Sequence, residues 1–217
     1  MFVFKAAVLG GGTMGGEIAQ VIANADIPVV VKDVEQKFVD AALEKSRAVT
    51  KQGLDKLVSK EKMTQEQADG RLEEVMGLIT GTTTYDEFGD VDFVIDAVPE
   101  RMDIKQAVFG ELDEHTPGGA ILASNTSSLS ITEMGEATLR PDKVCGFHFF
   151  YPASVLPLVE VVAGDDTSAE TMQAASNFAQ AIRKQPISCG EVPGFVVNRI
   201  LISAVGEVLR AQEEKGL

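Results

Sequence analysis

The sequence predicts an α/β fold: a doubly wound, mostly parallel sheet with a helical insertion and a C-terminal helix. Three observations lead there. A short apolar run ends in glycines and passes into a helix-period stretch and then a β-branched run. Strand-like and helix-like segments keep alternating through the rest of the chain. The strand-like runs are continuously apolar, as in parallel sheets covered on both faces. At 217 residues, 45% hydrophobic and 24% charged, the chain can bury the core of one large α/β domain, or of one domain plus an appendage.

Taken in order, "KAAVL" reads as the first strand and "TMGGEIAQVIANAD" as the first helix, with Met14, Ile18, Val21, Ile22 and Ala25 at helical spacing. "IPVVVKD" is a buried strand ending at Asp33, which completes a βαβ unit. From about 35 to 77 the chain is helical in character, with a break expected near Gly53 and a restart at Thr64, where "TQEQ" has the capping-box pattern. This is the helical insertion. A short strand follows at Leu78 to Gly81, then the strand 91–98, a helix over about 101–113, the strand 119–125, a short helix after Ser128 and the strand 143–149. "PLVEVVAG" and "QPISCG" read as further strands around an amphipathic helix, 168–183. The last helix begins after Pro193-Gly194 and places Val197, Leu201, Ala204 and Val208 on one face, with Ile200 and Val205 beside it. No later segment can cover that face, so the reading is either a dimer mate or one domain of a longer polypeptide.

Composition excludes several classes. Nineteen basic against 33 acidic residues give a net charge of −14, which argues against nucleic acid or an anionic membrane as the main partner. No apolar run approaches the roughly 18 residues of a membrane span, and the N-terminus lacks a signal peptide's basic start and cleavage site. Cys145 and Cys189 show no metal-ligand or redox spacing; no metal is expected, and free thiols fit a reducing compartment, the cytoplasm by default.

"GGGTMG" sets Gly10, Gly12 and Gly15 in G-x-G-x-x-G register around Thr13 and Met14, after a strand and at the head of a helix. Each glycine has a physical task. Gly10 permits the tight turn, Gly12 lets the backbone approach a pyrophosphate, and Gly15 lets helix and strand pack closely, while the helix N-terminus offers free N–H groups and a positive dipole. Asp33, 23 residues after Gly10, would accept hydrogen bonds from an adenosine ribose and repel a 2′-phosphate. The fold is therefore read as Rossmann-type and the cofactor as NAD, with Lys32 and Lys37 pulling slightly the other way.

The strand ends "DAVPE" and "ASNTSS" fall on the carboxyl edge of the sheet, where open α/β folds bind ligands, which places Glu100, Ser124, Asn125 and Ser127 near the cofactor. Capping of the next helix accounts equally well for Ser127. His148 ends a strand on the same edge, and histidine titrates near neutral pH, as a base for a hydride-transfer reaction must. The plainer alternative is a partly buried histidine bonded to a carbonyl. Glu160, inside the apolar "PLVEVV", needs a partner, because an unpaired buried charge is costly, and a His148–Glu160 pair satisfies both groups. His115 reads as a surface residue. Lys45, Arg47, Lys51, Lys56, Lys60 and Lys62 against Glu44, Asp55 and Glu61 leave 6 − 3 = +3 between 43 and 62, either a solvated helix face or a landing site for a phosphorylated ligand.

Taken together, "VLGGGTMGGEIAQ", "VIDAVPE", "ASNTSSLSIT", "GFHFFYP", "PLVEVV" and "PGFVVNRIL" resemble the NAD-binding domain of L-3-hydroxyacyl-CoA dehydrogenases from about Lys5 to the final helix. The resemblance implies hydride transfer between an L-3-hydroxyacyl-CoA and NAD to give a 3-ketoacyl-CoA, in fatty-acid β-oxidation or short-chain acyl-CoA metabolism. It makes His148 the catalytic base, Glu160 its orienting carboxylate, and Ser127 and Asn198 hydrogen-bond partners at the substrate oxygen. Glu100, Lys105 and Asn125 go to the cofactor with the glycine loop and Asp33, and Lys56 to coenzyme A. It also implies a division into an NAD-binding domain, 1–192, and the first helix of a C-terminal helical domain, 193–217. The partners it implies are an acyl-CoA thioester and either a second copy or the rest of a larger multifunctional polypeptide. One position departs: Tyr151 stands where the family has Asn in "HFFNP". The alternatives are an NAD-binding domain with little activity when isolated, and a hydroxy-acid or phosphogluconate-type dehydrogenase, which the lack of a lysine beside "ASNTSS" or "GFHFFYP" disfavours.

Overall fold

The computed structural model describes residues 2–216. Strand β1 (Ala6–Leu9), helix α1 (Thr13–Ala23) and strand β2 (Val29–Lys32) form the N-terminal βαβ unit. Helices α2 (Gln36–Ser59) and α3 (Gln65–Gly77) make the insertion, followed by β3 (Ile79–Thr82), β4 (Phe93–Asp96), α4 (Met102–His115), β5 (Ile121–Ser124), α5 (Ile131–Gly135) and β6 (Val144–Phe149). The chain finishes with β7 (Leu158–Ala163), α6 (Ala169–Ala181), β8 (Gln185–Gly190) and α7 (Val197–Lys215).

All eight strands lie in one sheet, in the order β3-β2-β1-β4-β5-β6-β7-β8. Every pair is parallel except β6 with β7. The chain winds outward from β1 in both directions, so a crevice opens between β1 and β4 at the carboxyl edge. Strand alternation divides the core. Ala6 and Val8 face one layer with Ile18, Ile22, Phe147 and Phe178, and Ala7 and Leu9 face the other with Val94, Phe109, Leu112 and Ile131. Burying each large side chain stabilises by about 1.5–3 kcal/mol. Phe93 binds the first layer together, with its ring centroid 5.2 Å from Phe147 and 4.5 Å from Phe178.

The expected break near Gly53 does not occur. Helix α2 runs through it, because the buried stripe Val39, Ala42, Ser46, Thr50 and Leu54 holds the helix to the body against the roughly 1 kcal/mol that a helical glycine costs. The helix stops instead at Ser59, and Glu61 takes a positive φ of 57° in the turn. The restart does fall at Thr64: its hydroxyl accepts from Gln67 N at 3.2 Å and its own N–H donates to Gln67 Oε1 at 3.0 Å.

Helix α7 stands out from this body. Leu201 is 57% exposed and Val208 59% exposed, and none of the helix is buried against other described residues. Its head is fastened to the sheet by Phe195, buried just before it, and by Glu160, which accepts from Val196 N and Val197 N. Both cysteines are free thiols, and burial pushes the Cys145 thiol up to about 12. Among the described residues, no helix is long and apolar enough to cross a membrane.

Candidate active site

The glycine loop is shaped by contacts no side chain could share. Gly10 has φ +100°, and a Cβ there would stand 2.5 Å from the Ala97 carbonyl oxygen; a Cβ at Gly15 would stand 1.8 Å from the Gly10 carbonyl oxygen. Gly12 caps α1 with no side-chain hydrogen bond, and the first turn carries no acidic residue, so its N–H groups face outward without a side-chain acceptor. Space is open over Gly12. These are the features that a pyrophosphate requires.

Asp33 lies one residue beyond β2 and turns back across the loop, accepting from Gly11 N and from Val34 N, both at 2.6 Å. With Gly10, Gly12, Phe38, Tyr85 and Val98 it lines a cleft of about 760 Å³, large enough for the adenosine half of a dinucleotide. The two lysines that weighed against NAD are both engaged. Lys32 Nζ sits 4.1 Å from the centroid of the Tyr85 ring, and Lys37 pairs with Glu35 at 2.7 Å. Asp33→Ala is accordingly expected to weaken NAD binding by about tenfold, the worth of a charge-assisted hydrogen bond, and to narrow the gap between NAD and NADP; titration of both cofactors checks it, and an unchanged ratio would count against the ribose contact.

Beneath the crevice lies a buried polar cluster. Asp96, fully buried at the end of β4, accepts from Lys105 Nζ and from Ser124 Oγ, each at 2.7 Å, and from Val98 N at 2.9 Å. Lys105 is only 1% exposed and therefore lies under the cleft, not in it, because the Asp96 carboxylate draws its ammonium into the core. Toward the surface it meets the Val98 carbonyl oxygen at 3.4 Å and Glu100 at 3.6 Å. Glu100 in turn accepts from Thr126 Oγ1 at 2.6 Å and from Ser127 N at 3.0 Å, tying the end of β4 to the end of β5. Ser127 is not the cap of α5. That position belongs to Ser130, whose hydroxyl accepts from Glu133 N at 3.1 Å.

His148 and Glu160 are direct cross-strand partners in the antiparallel β6–β7 pair, which puts both side chains on one face. His148 Nδ1 and Glu160 Oε2 are 2.7 Å apart. The other carboxylate oxygen accepts from Val196 N at 3.0 Å and Val197 N at 2.9 Å, so the head of α7 is docked on the same glutamate. With Nδ1–H donated to the carboxylate, Nε2 is the ring nitrogen left to take a proton. His148 lines a second cavity, of about 270 Å³, together with Met14, Asn125, Ser127, Tyr151 and Asn198. Met14 belongs to the first turn of α1, so this cavity and the larger cleft lie to either side of the glycine loop. Asn125 is fixed there by Phe149 N, which donates to its Oδ1 at 2.8 Å.

A family model described as 3-hydroxyacyl-CoA dehydrogenase, NAD binding domain, matches residues 5–192. The chain belongs to the 3-hydroxyacyl-CoA dehydrogenase family. It is 42% identical over 205 residues to a 3-hydroxybutyryl-CoA dehydrogenase of Clostridioides difficile, covering 94% of this chain and 70% of that one. It is 38% identical over 196 residues to the peroxisomal fatty acid beta-oxidation multifunctional protein of Arabidopsis thaliana, covering 90% of this chain and 26% of that one. Among solved structures, the (S)-3-hydroxybutyryl-CoA dehydrogenase of Ralstonia eutropha superposes with a TM-score of 0.88 at 36% identity, over all of this chain and 74% of that one. The chain thus spans about a quarter of the multifunctional relative and about 70% of the shorter one. As a member of this NAD-binding family, it carries the glycine loop and Asp33 as the groups that fit the cofactor.

Several residues that shape the site carry little signal in the sequence. Asp96 opens the strand end "DAVPE" but is not singled out there; the signal available is an acid at the end of the apolar "FVID", as informative as Glu160 is in "PLVEVV". Val196 and Val197 act through backbone N–H groups, and nothing in their side chains could point to that. Of the six basic residues between 43 and 62, three are paired within the fold: Lys45 with Glu17, Arg47 with Glu73 and Lys51 with Asp55. Lys56 is exposed on the outer part of α2.

Proposed function

We propose that this site oxidises the 3-hydroxyl of an L-3-hydroxyacyl-CoA with NAD, or reduces the 3-ketone in reverse. The observation that carries the reading is the His148–Glu160 pair at 2.7 Å, set in a cavity shared with Ser127 and Asn198 and adjoining the pyrophosphate loop. Bound NAD supplies a two-electron hydride acceptor. His148 Nε2 takes the hydroxyl proton as the C3–H bond gives up its hydride, leaving a C3 carbonyl, and Glu160 stabilises the imidazolium that forms. Ser127 and Asn198 hold the substrate oxygen against the ring. Asn125, its oxygen engaged by Phe149 N, has its amide N–H groups for the cofactor's carboxamide. Glu100 reaches the cofactor side through Ser127, and Lys105 acts by holding Asp96 and Glu100 in place.

Lys56 is assigned to the coenzyme A nucleotide. It lies 11 residues after Lys45, three turns along the same face of α2, or about 16 Å from the residue that leans over the cavity mouth. The domain division at 192–193 is supported by the end of the family match and by the exposure of α7. A second copy or further helices of a larger polypeptide would cover the apolar stripe. The two free thiols fit a reducing cytoplasm.

A second reading, favoured by the uncovered face of α7, is a chain that holds NAD but turns over little without that cover. NAD titration combined with an assay of NADH formation from 3-hydroxybutyryl-CoA separates the two. Binding with turnover is expected; binding without turnover supports the second reading, and no NAD binding would overturn both.

A further inference from the structure

The connection between β6 and β7 carries a large side chain, Tyr151, to the mouth of the His148 cavity, where it forms wall beside Ser127 and Asn198. It is 58% exposed, yet it is not loosely placed. Lys45 on α2 sets its ammonium 5.9 Å from the ring centroid and pairs at 3.0 Å with Glu17 of α1, a carboxylate only 2% exposed. Lys45 reaches this position because α1 and α2 touch at Gly16, where a Cβ would stand 2.8 Å from the Ala42 carbonyl oxygen and 3.0 Å from Lys45 Cβ. Glu17 also accepts from Ser154 N at 3.3 Å. On the other side of the loop, Lys184 donates to the carbonyl oxygens of Ala153 and Leu156. A buried carboxylate and a buried lysine are costly to place unless they are partnered, and here both are partnered to this one loop.

We propose that Tyr151 sets the length of acyl chain the site accepts. Its ring is one wall, at the mouth, of an open cavity of about 270 Å³ that on this reading receives the nicotinamide end of the cofactor and the first acyl carbons. The proposal rests on the thioester reading above and narrows it to short-chain 3-hydroxyacyl thioesters. On this proposal a butyryl chain is short enough to stop before the ring. A longer chain has to displace a ring whose loop is anchored to α1, to α2 and to the start of β8. A single methylene in a walled pocket is worth about 10–200-fold in selectivity, so a chain several methylenes longer meets at least the lower figure. Glu17, Lys45 and Lys184 are positioning residues that act through the loop.

The test titrates the NADH-loaded chain with acetoacetyl-CoA and with 3-ketooctanoyl-CoA, which reads the wall without depending on turnover. The unsubstituted chain is expected to bind the shorter ligand at least about tenfold more tightly. Tyr151→Ala should bring the ratio close to one, by tightening the longer ligand, while Tyr151→Phe keeps the ring and the original ratio. Thermal unfolding of each variant reports that it is folded. An unchanged ratio in Tyr151→Ala, or equal loss of discrimination in both variants, overturns the proposal and leaves the dehydrogenase reading standing. Failure of the unsubstituted chain to bind either thioester overturns that reading and this one with it.

Discussion

His148→Gln is expected to lower thioester-dependent NADH formation by about 10²–10⁴-fold, the range that a positioned general base supplies, while NAD still binds. Glutamine is the informative replacement. Its amide can still donate to Glu160 Oε2, which His148 Nδ1 reaches at 2.7 Å, so the buried carboxylate keeps a partner and the β6–β7 pairing survives. What it cannot do is accept a proton at the position of Nε2. The cleft around Asp33, proposed for the adenosine half, shares no lining residue with the His148 cavity, so NAD affinity should fall far less than turnover. Steady-state kinetics with 3-hydroxybutyryl-CoA and a separate NAD titration are the two measurements. Turnover close to that of the unsubstituted chain would remove His148 from the chemistry, and a parallel loss of NAD binding would show the substitution acting on the fold.

Lys105→Met is expected to be the most destabilising single change near the crevice. It leaves Asp96, which is fully buried, with hydrogen bonds from Ser124 and Val98 but without its cation. Breaking a buried ion pair from one side costs about 3–5 kcal/mol, which for a chain of this size lowers Tm by roughly 6–20 °C. Adding Asp96→Asn to the same chain should recover part of that loss, because the orphaned charge is gone. Thermal unfolding of the two variants decides it. A single variant no less stable than the original would mean that the Asp96–Lys105 pair contributes nothing net, and a double variant worse than the single would mean that the Asp96 charge is satisfied by Ser124 and Val98 alone.

The predictions differ in how much of their basis could be seen in the chain itself. The glycine loop and Asp33 were legible because they are local: a tight turn, a helix N-terminus and the next strand end occur within 23 residues, and each needs a particular residue type at a particular spacing. The restart at Thr64 was legible for the same reason, since a capping box is closed between residues three apart. Gly53 misled because a glycine's local preference is weak beside a buried stripe of five residues running past it on the same helix. Ser127 could not be separated from a cap by its type, because Ser130, three positions on, offers the same hydroxyl to the same helix end.

The fold class, the order of the strands and helices along the chain, the shape of the glycine loop and the need of Glu160 for a partner could all be read from the amino-acid order alone. All of these follow from periodicity or from short-range rules of backbone geometry and desolvation. The pairing with His148 was open to the sequence as a possibility; its geometry comes from the antiparallel register, which sets the two opposite each other across twelve residues of chain at 2.7 Å. Only the tertiary structure decided that Lys105 belongs to Asp96 under the cleft, that the head of α7 is docked on Glu160, and that Tyr151 is braced by Lys45 and Glu17. Strand register and the pairing of buried charges depend on which distant segments come together, and hydrophobic patterning, which is the same for any apolar strand, does not specify the partner.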